Sequence, residues 1–300
     1  DICHRQPPSM LPMPHATTLR RRLKSAFGHQ VDRVYHALKL VVTEARGSKP
    51  RALSRAHARP GTFAQNAIGE GGARVEEAAA LTAYAKALEL DPDKTRIHLE
   101  MGTIHFKHRR FAEAVPHLRA AVQAHPDVHN TRKMLSLALI QFKAYEEAVP
   151  HLAHLVRANA NDPMAHLWLG HALVRVRKAG DAVYHFRTSL RLQPSSFVAA
   201  NELAWLLATH SSSKIRNPKE ALTLASKAAA DTKTASAGVL DTLAAAQAAS
   251  GDFDAALATV DQAIMLATES KDQKLVGDLQ RRQGIYKQKR PYREAFPSVD

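Results

Sequence analysis

Residues 95–128 alternate two kinds of amphipathic stretch. The apolar side chains of Ile97-His98-Leu99-Glu100-Met101-Gly102-Thr103-Ile104-His105-Phe106 return at helical spacing and Arg109-Arg110-Phe111 interrupts them as a turn. Ala114, Leu118, Ala121 and Val122 then draw an apolar stripe on a second helix, which Pro126 stops. The pattern begins again 34 residues on: Glu113-Ala114-Val115-Pro116-His117-Leu118 recurs letter for letter as Glu147-Ala148-Val149-Pro150-His151-Leu152. Pro92, Pro126 and Pro194 keep the same phase, and Ala160 fills the slot between the last two. Such a period predicts an array of helix pairs, each burying its apolar face only against its neighbours. Small residues sit where two helices must approach closely: Gly102, Ser136, Gly170 and Ala204 in the first helix, Ala114, Ala148, Ala182 and Ala221 in the second. Pro116 and Pro150 are expected in the opening turn of their helices, where backbone N–H groups have no intrahelical partner to lose.

These residues resemble the tetratricopeptide repeat (TPR) family, whose unit has a small residue midway along its first helix, an alanine opening the second, an aromatic or leucine one turn later, and a closing proline. The resemblance implies an all-α fold, a right-handed α-solenoid of stacked helix-turn-helix repeats. It places repeats at 95–128, 129–162 and 163–196, a fourth at 197–235 and a fifth at 236–270. In the fourth, Ser211-Ser212-Ser213-Lys214-Ile215-Arg216-Asn217-Pro218 makes the connection between helices longer than the family turn. Residues 61–94 read as a degenerate or half repeat: Ala80, Tyr84, Ala87, Leu88 and Pro92 supply its second helix, while Gly61 to Gly72 carries four glycines where the first should lie. Residues 271–300 read as a capping helix, with Leu275, Leu279 and Tyr286 on one face, followed by a tail.

Charge changes the picture at the two ends only. Residues 1–60 hold 12 Lys and Arg against 3 Asp and Glu, whereas residues 61–270 hold 22 against 21 and residues 271–300 hold 8 against 4. The net charge of +14 therefore belongs to the flanks, and it does not mark the array itself as a nucleic-acid binder. Six of the fifteen prolines also fall in residues 1–60, a composition suited to a basic, flexible arm with at most one helix. Arg20-Arg21-Arg22-Leu23-Lys24 gives that arm the means to contact phosphate or anionic lipid, so nucleic acid or an anionic membrane is a candidate partner through residues 1–60 alone. No apolar run approaches the ~20 residues of a membrane span. The chain thus reads as soluble, and the Leu203-Ala204-Trp205-Leu206-Leu207-Ala208-Thr209 segment and the C-terminal ending, which look like bacterial arrays, place it in a bacterial cytoplasm or periplasm.

What the family resemblance implies about function centres on the concave face lined by first helices. There it places Lys133, Met134, Leu137, Met164, Leu167, Trp168, His171, Arg175, Asn201 and Trp205, including both tryptophans of the chain. Indole and thioether groups offer adaptable apolar contact, and Lys133 and Arg175 add positive charge. The implied partner is a protein or peptide segment with apolar anchors and some acidic character. Two groove chemistries of the family are not assembled here. The clamp for chaperone C-terminal carboxylates needs Lys then Asn one turn on, yet Lys133 is followed by Leu137, and the next units present Trp168, Val198 and Glu202. The asparagine ladder of O-GlcNAc transferase arrays needs Asn in a slot that holds Glu100, Met134, Trp168 and Glu202.

Other chemistry finds no foothold. Cys3 is the single cysteine, which excludes internal disulfides and thiolate zinc sites. The pairs His105/His108 and His151/His154 have ligand-like spacing but no acidic or cysteine partner, so no metal is expected. His98, His105 and His166 take places that the family fills with core residues, while His117, His151 and His185 are expected as an outward-facing row. Gly69-Glu70-Gly71-Gly72 lacks the strand and the Lys-Ser/Thr ending of a phosphate loop, and no nucleophile–base pair is recognisable, so no cofactor and no catalysis are expected. The reading is a protein-protein interaction scaffold. Two alternatives stand beside it: the recruiting region of a multidomain enzyme, such as a glycosyltransferase, with its catalytic part outside this chain, and an adaptor to nucleic acid or membrane through the basic tails.

Overall fold

A computed structural model describes residues 70–231 and 236–294. The basic arm expected over residues 1–60 lies outside the described residues. Among the described residues every regular element is a helix, and the fold is an all-α solenoid of stacked helix-turn-helix units. The chain divides into two compact units, one ending at Arg109 and the other beginning at Arg110.

The first unit contains α1 (Glu70–Leu90) and α2 (Thr95–Lys107). Gly71 and Gly72 belong to the start of α1; they do not form part of a preceding helix. Ala87, Ile97 and Met101 are buried against one another, with Leu81, Tyr84 and Leu88 packed around them. An ion pair joins Glu77 to His108.

The second unit runs through α3 (Phe111–Ala124), α4 (His129–Gln141), α5 (Tyr145–Ala158), α6 (Pro163–Arg175), α7 (Ala179–Leu192), α8 (Phe197–Thr209), α9 (Pro218–Asp231), α10 (Ala237–Ala249), α11 (Phe253–Glu269) and α12 (Gln273–Lys287). The alanines that open the second helices, Ala114, Ala148, Ala182, Ala221 and Ala256, are fully buried, as are Leu118, Leu152 and Phe186 one turn beyond the first three. Burial of these stripes is what holds a stack together, since each unit alone leaves its apolar face in water. On the outer side the second helices are joined by bidentate ion pairs: Arg119 donates to Glu147 at 2.8 and 2.9 Å, and Arg187 to Glu220 at 3.1 and 2.7 Å.

The turns between α4 and α5 and between α6 and α7 are three residues long because one residue reverses the backbone in the left-handed region. Lys143 (φ 64°) and Arg177 (φ 63°) do this in the second unit, and each following helix resumes two residues later. Pro116 and Pro150 consequently lie deeper than their sequence suggested, at the sixth position of α3 and α5. The bonds that an N–H there would make to the carbonyls of Ala112 and Glu146 are forfeited. All four residues are exposed, so water can serve those carbonyls.

A second departure concerns the histidines. His151 and His185 do not face outward; they point into the seam between first and second helix. His151 Nδ1 accepts from Arg132 Nη1 at 3.1 Å, and His185 Nδ1 meets His166 Nδ1 at 2.8 Å. The first-helix member of each pair reaches back to the carbonyl that closes the preceding unit: Arg132 Nη2 donates to Pro126 O at 2.6 Å, His166 Nε2 to Ala160 O at 3.2 Å. In the fourth unit the slot is Ala200, and Lys227 of α9 supplies the donor to Pro194 O at 2.8 Å. His166 Nε2 faces a carbonyl and is therefore a donor, and one of the two facing Nδ1 atoms donates to the other.

Burial, and then the facing His166 ring, hold the His185 pKa below its ordinary value, with Asp181 opposing; burial and Arg132 do the same to His151. A histidine depressed on folding takes up its proton more readily in the unfolded chain. Its stabilising contribution is complete above an unfolded pKa of about 6.5 and is lost as pH falls below it. The midpoint of thermal unfolding is therefore expected to drop between pH 7 and pH 5.5, and His185→Gln to flatten that dependence, as read by circular dichroism melts at the two pH values.

Candidate protein-binding face

The first helices of the second unit share one face, and contacts across successive repeats establish it. Lys133 of α4 places Nζ 4.9 Å from the ring centroid of Trp168 on α6. His171 of α6 lies 3.5 Å from the Glu202 carboxylate on α8. Arg282 of α12 reaches both Asp241 on α10 and Trp205 on α8.

The phase of α6 is set at its start. Asp162 caps it, its carboxylate accepting from Met164 N at 2.9 Å and Ala165 N at 3.1 Å, and Pro163 takes the first helical position. From there the three-, four- and seven-residue spacing separates two faces. Leu169 and Leu173 go to the core, whereas Trp168, His171 and Arg175 remain accessible on the other side. The Arg175 guanidinium lies 5.4 Å from the ring centroid of Tyr145 on α5, and the His171 ring 6.2 Å from the same ring. Two cations are thus held over two aromatic rings, an arrangement that favours ordered side chains on an accessible surface.

The remaining expected residues divide. Met134 and Leu137 are partly buried beside Lys133, and Met164 is exposed. Leu167 does not join the face: at 6 % exposure it packs into the core, and it offers a ligand no surface. Asn201 is partly buried, and its Oδ1, shut off from solvent, has no hydrogen-bond partner among the described residues.

Trp205, half-buried like Trp168, is contacted by a segment remote in sequence. Its Nε1–H donates to Glu294 Oε2 at 2.9 Å, its ring lies 5.9 Å from that of Tyr292, and the Arg282 guanidinium stands 5.4 Å from both ring centroids. Arg282 is held in turn by Asp241 through bonds of 2.8 and 2.7 Å, with both side chains less than a tenth exposed. Burial pushes the Asp241 carboxyl up to about 6, against the pull of Arg282. Sequence reasoning placed Glu202 in a groove slot but did not assign Tyr145, Asp241, Arg282, Tyr292 or Glu294 to this face. One signal was available: Asp241 is a lone charge in the apolar run Val239-Leu240-Asp241-Thr242-Leu243-Ala244, where an unpaired carboxylate would be costly.

Among the described residues no three His, Cys, Asp or Glu side chains gather as metal ligands would, and no helix is long and apolar enough to cross a membrane.

The family model described as tetratricopeptide repeat matches residues 77–129, 99–163 and 133–197. No curated protein sequence matches the chain. Among solved structures, PilW, described as a type IV pilus biogenesis factor, aligns over 84 % of this chain and 99 % of its own, at 17 % identity and a TM-score of 0.52. A TPR protein of the thermophile Thermus thermophilus aligns over 65 % of this chain and 99 % of its own, at 16 % identity and a TM-score of 0.47. YrrB, described as a TPR protein with an unusual peptide-binding site, aligns over 66 % and 98 %, at 16 % identity and a TM-score of 0.49.

Proposed function

We infer that this chain, which carries tetratricopeptide repeats over residues 77–197, acts as a protein-interaction scaffold and that the first-helix face of α4, α6 and α8 binds a segment of a partner protein. The observation that carries the reading is Trp168: a large indole kept partly exposed beside a lysine, on a face whose other tryptophan already gives its indole N–H to Glu294. Arg175 is exposed over Tyr145 and Met164 is exposed at the start of the same helix, so the face offers apolar contact with positive charge at its edge. That combination suits a segment with apolar anchors and acidic residues.

The test is capture of a partner from native lysate by the full chain and by its Trp168→Ala variant, with melting curves of both. Loss of a central aromatic anchor is expected to weaken binding at least ~10-fold. Because Trp168 is partly exposed, the melting midpoint should stay within about 2 °C, as for surface substitutions. A partner retained equally by both proteins, or a melt that collapses together with binding, would remove Trp168 from the proposed site.

A further inference from the structure

The long connection after α8 creates a second docking place. Where the other repeats turn in three residues, residues 210–217 separate α8 from α9, and His210 is left extended (φ −56°, ψ 139°). The last carbonyls of α8 then lack intrahelical donors. Asn217 N serves the carbonyl of Leu207 at 3.0 Å, and Pro291-Tyr292-Arg293-Glu294 serves the last two: Glu294 N donates to Thr209 O at 2.8 Å, Arg293 Nη1 donates to Ala208 O at 2.9 Å, and Glu294 pairs with His210 as a parallel β-bridge. In an extended segment alternate side chains share a side. Tyr292 and Glu294 accordingly both meet the array, Tyr292 against Arg282 and Trp205, and Glu294 at the Trp205 indole N–H.

The socket is built without the segment that fills it. Trp205, Asp241 and Arg282 stand on α8, α10 and α12, and the bidentate Asp241–Arg282 pair fixes the guanidinium that backs the tyrosine ring. A backbone edge that pairs with the segment, an aromatic slot for one side chain and an N–H aimed at a carboxylate are all features that can hold an extended peptide. We propose that this place is a peptide site filled by the chain's own residues 291–294, and that its external ligand is an extended partner segment carrying an aromatic residue followed, two positions later, by a carboxylate. The proposal does not rest on Trp168, since the two sites use different residues.

A tethered segment competes at an effective concentration of about 1 mM, so a site of ~100 µM intrinsic affinity is expected to be masked about 10-fold in the wild-type chain. The probe is a fluorescein-labelled pentapeptide Arg-Pro-Tyr-Arg-Glu, titrated by anisotropy against the full chain and its Tyr292→Ala, Glu294→Gln double variant. The variant should bind the probe about 10-fold tighter than wild type. That gain should vanish when Trp205→Ala is added, should be absent for a probe with Ala and Gln in place of Tyr and Glu, and should persist when Trp168→Ala is added. Equal binding of the probe by wild type and by a double variant of unchanged helicity would overturn the proposal and leave residues 291–294 as a structural cap. A concentration-dependent wild-type dimer that the double variant abolishes would also overturn it, by giving the socket to a second copy of the chain. The single variant Glu294→Gln, which keeps the tyrosine, guards against misfolding of the double variant and should show part of the gain.

Discussion

Replacing Arg282 with methionine is expected to lower the unfolding free energy by about 3–5 kcal/mol at pH 7, the usual consequence of leaving one member of a buried ion pair alone. Both members are less than a tenth exposed, so solvent cannot take over the lost bonds. Arg282 gives Asp241 two hydrogen bonds, of 2.8 and 2.7 Å, and it is the group that opposes the upward push of burial on the carboxyl. Without it the Asp241 pKa rises further above its unfolded value of 3.8. A carboxyl raised on folding binds more protons in the folded state, so its contribution is complete below the unfolded pKa and is lost as pH rises through the folded one. The variant should therefore regain stability as pH is lowered from 7 toward 5, opposite in sign to the histidine contribution. Denaturant titrations of Arg282→Met and of Arg282→Met, Asp241→Leu at pH 5 and 7 separate the two effects. The double variant, with no charge left to strand, should recover most of the loss. A loss below about 1 kcal/mol in the single variant, or one independent of pH, would mean that water reaches Asp241 and that the pair is not sealed.

The same pair marks the limit of what the sequence discloses. The repeats were legible because stacking places equivalent residues in equivalent surroundings: Ala114, Ala148 and Ala182 are separated by one period and are all fully buried. Contacts between neighbouring repeats inherit that regularity. Lys133 and Trp168 lie one period and one residue apart, and Lys133 Nζ stands 4.9 Å from the Trp168 ring centroid. Contacts that break the period leave no such trace. Trp205 meets Glu294 across 89 residues, and only the length of the Ser211 to Pro218 connection hinted that the end of α8 was unusual. The histidines failed for another reason. A polar residue on a second helix reads as exposed by default, but His151 and His185 have their polar partners one first helix away, at Arg132 and His166, and partners of this kind make burial affordable. Leu167 failed conversely: an apolar residue next to a groove position is as suited to the core as to a ligand, and the core took it.

Gly170→Val is expected to destabilise the fold by about 3 kcal/mol, the upper part of the usual range for overpacking. A Cβ at position 170 would stand 2.7 and 2.8 Å from Cε1 and Cδ1 of Phe186, and Phe186 is fully buried. A valine does not demand an unusual backbone here, because Gly170 lies inside α6 and its φ is not positive. The penalty is one of volume, set by the residue it faces. Equivalent positions show the trade: Ser136 is matched sixteen residues on by Leu152, Gly170 by Phe186, and Ala244 by Val260, so the largest second-helix side chain faces the residue that has none. All of these residues are buried. If shared volume is the constraint, Phe186→Leu, which alone should leave a cavity and cost about 1–3 kcal/mol, ought to recover part of the loss when combined with Gly170→Ala. The pair would then resemble Ser136 and Leu152. A double-variant cycle by urea denaturation reads the coupling directly, with a favourable coupling of at least ~1 kcal/mol expected for residues in contact. Additive losses would show instead that α6 moves away from α7 to admit the new side chain, and that the stack tolerates a wider spacing than its uniform row of buried alanines implies.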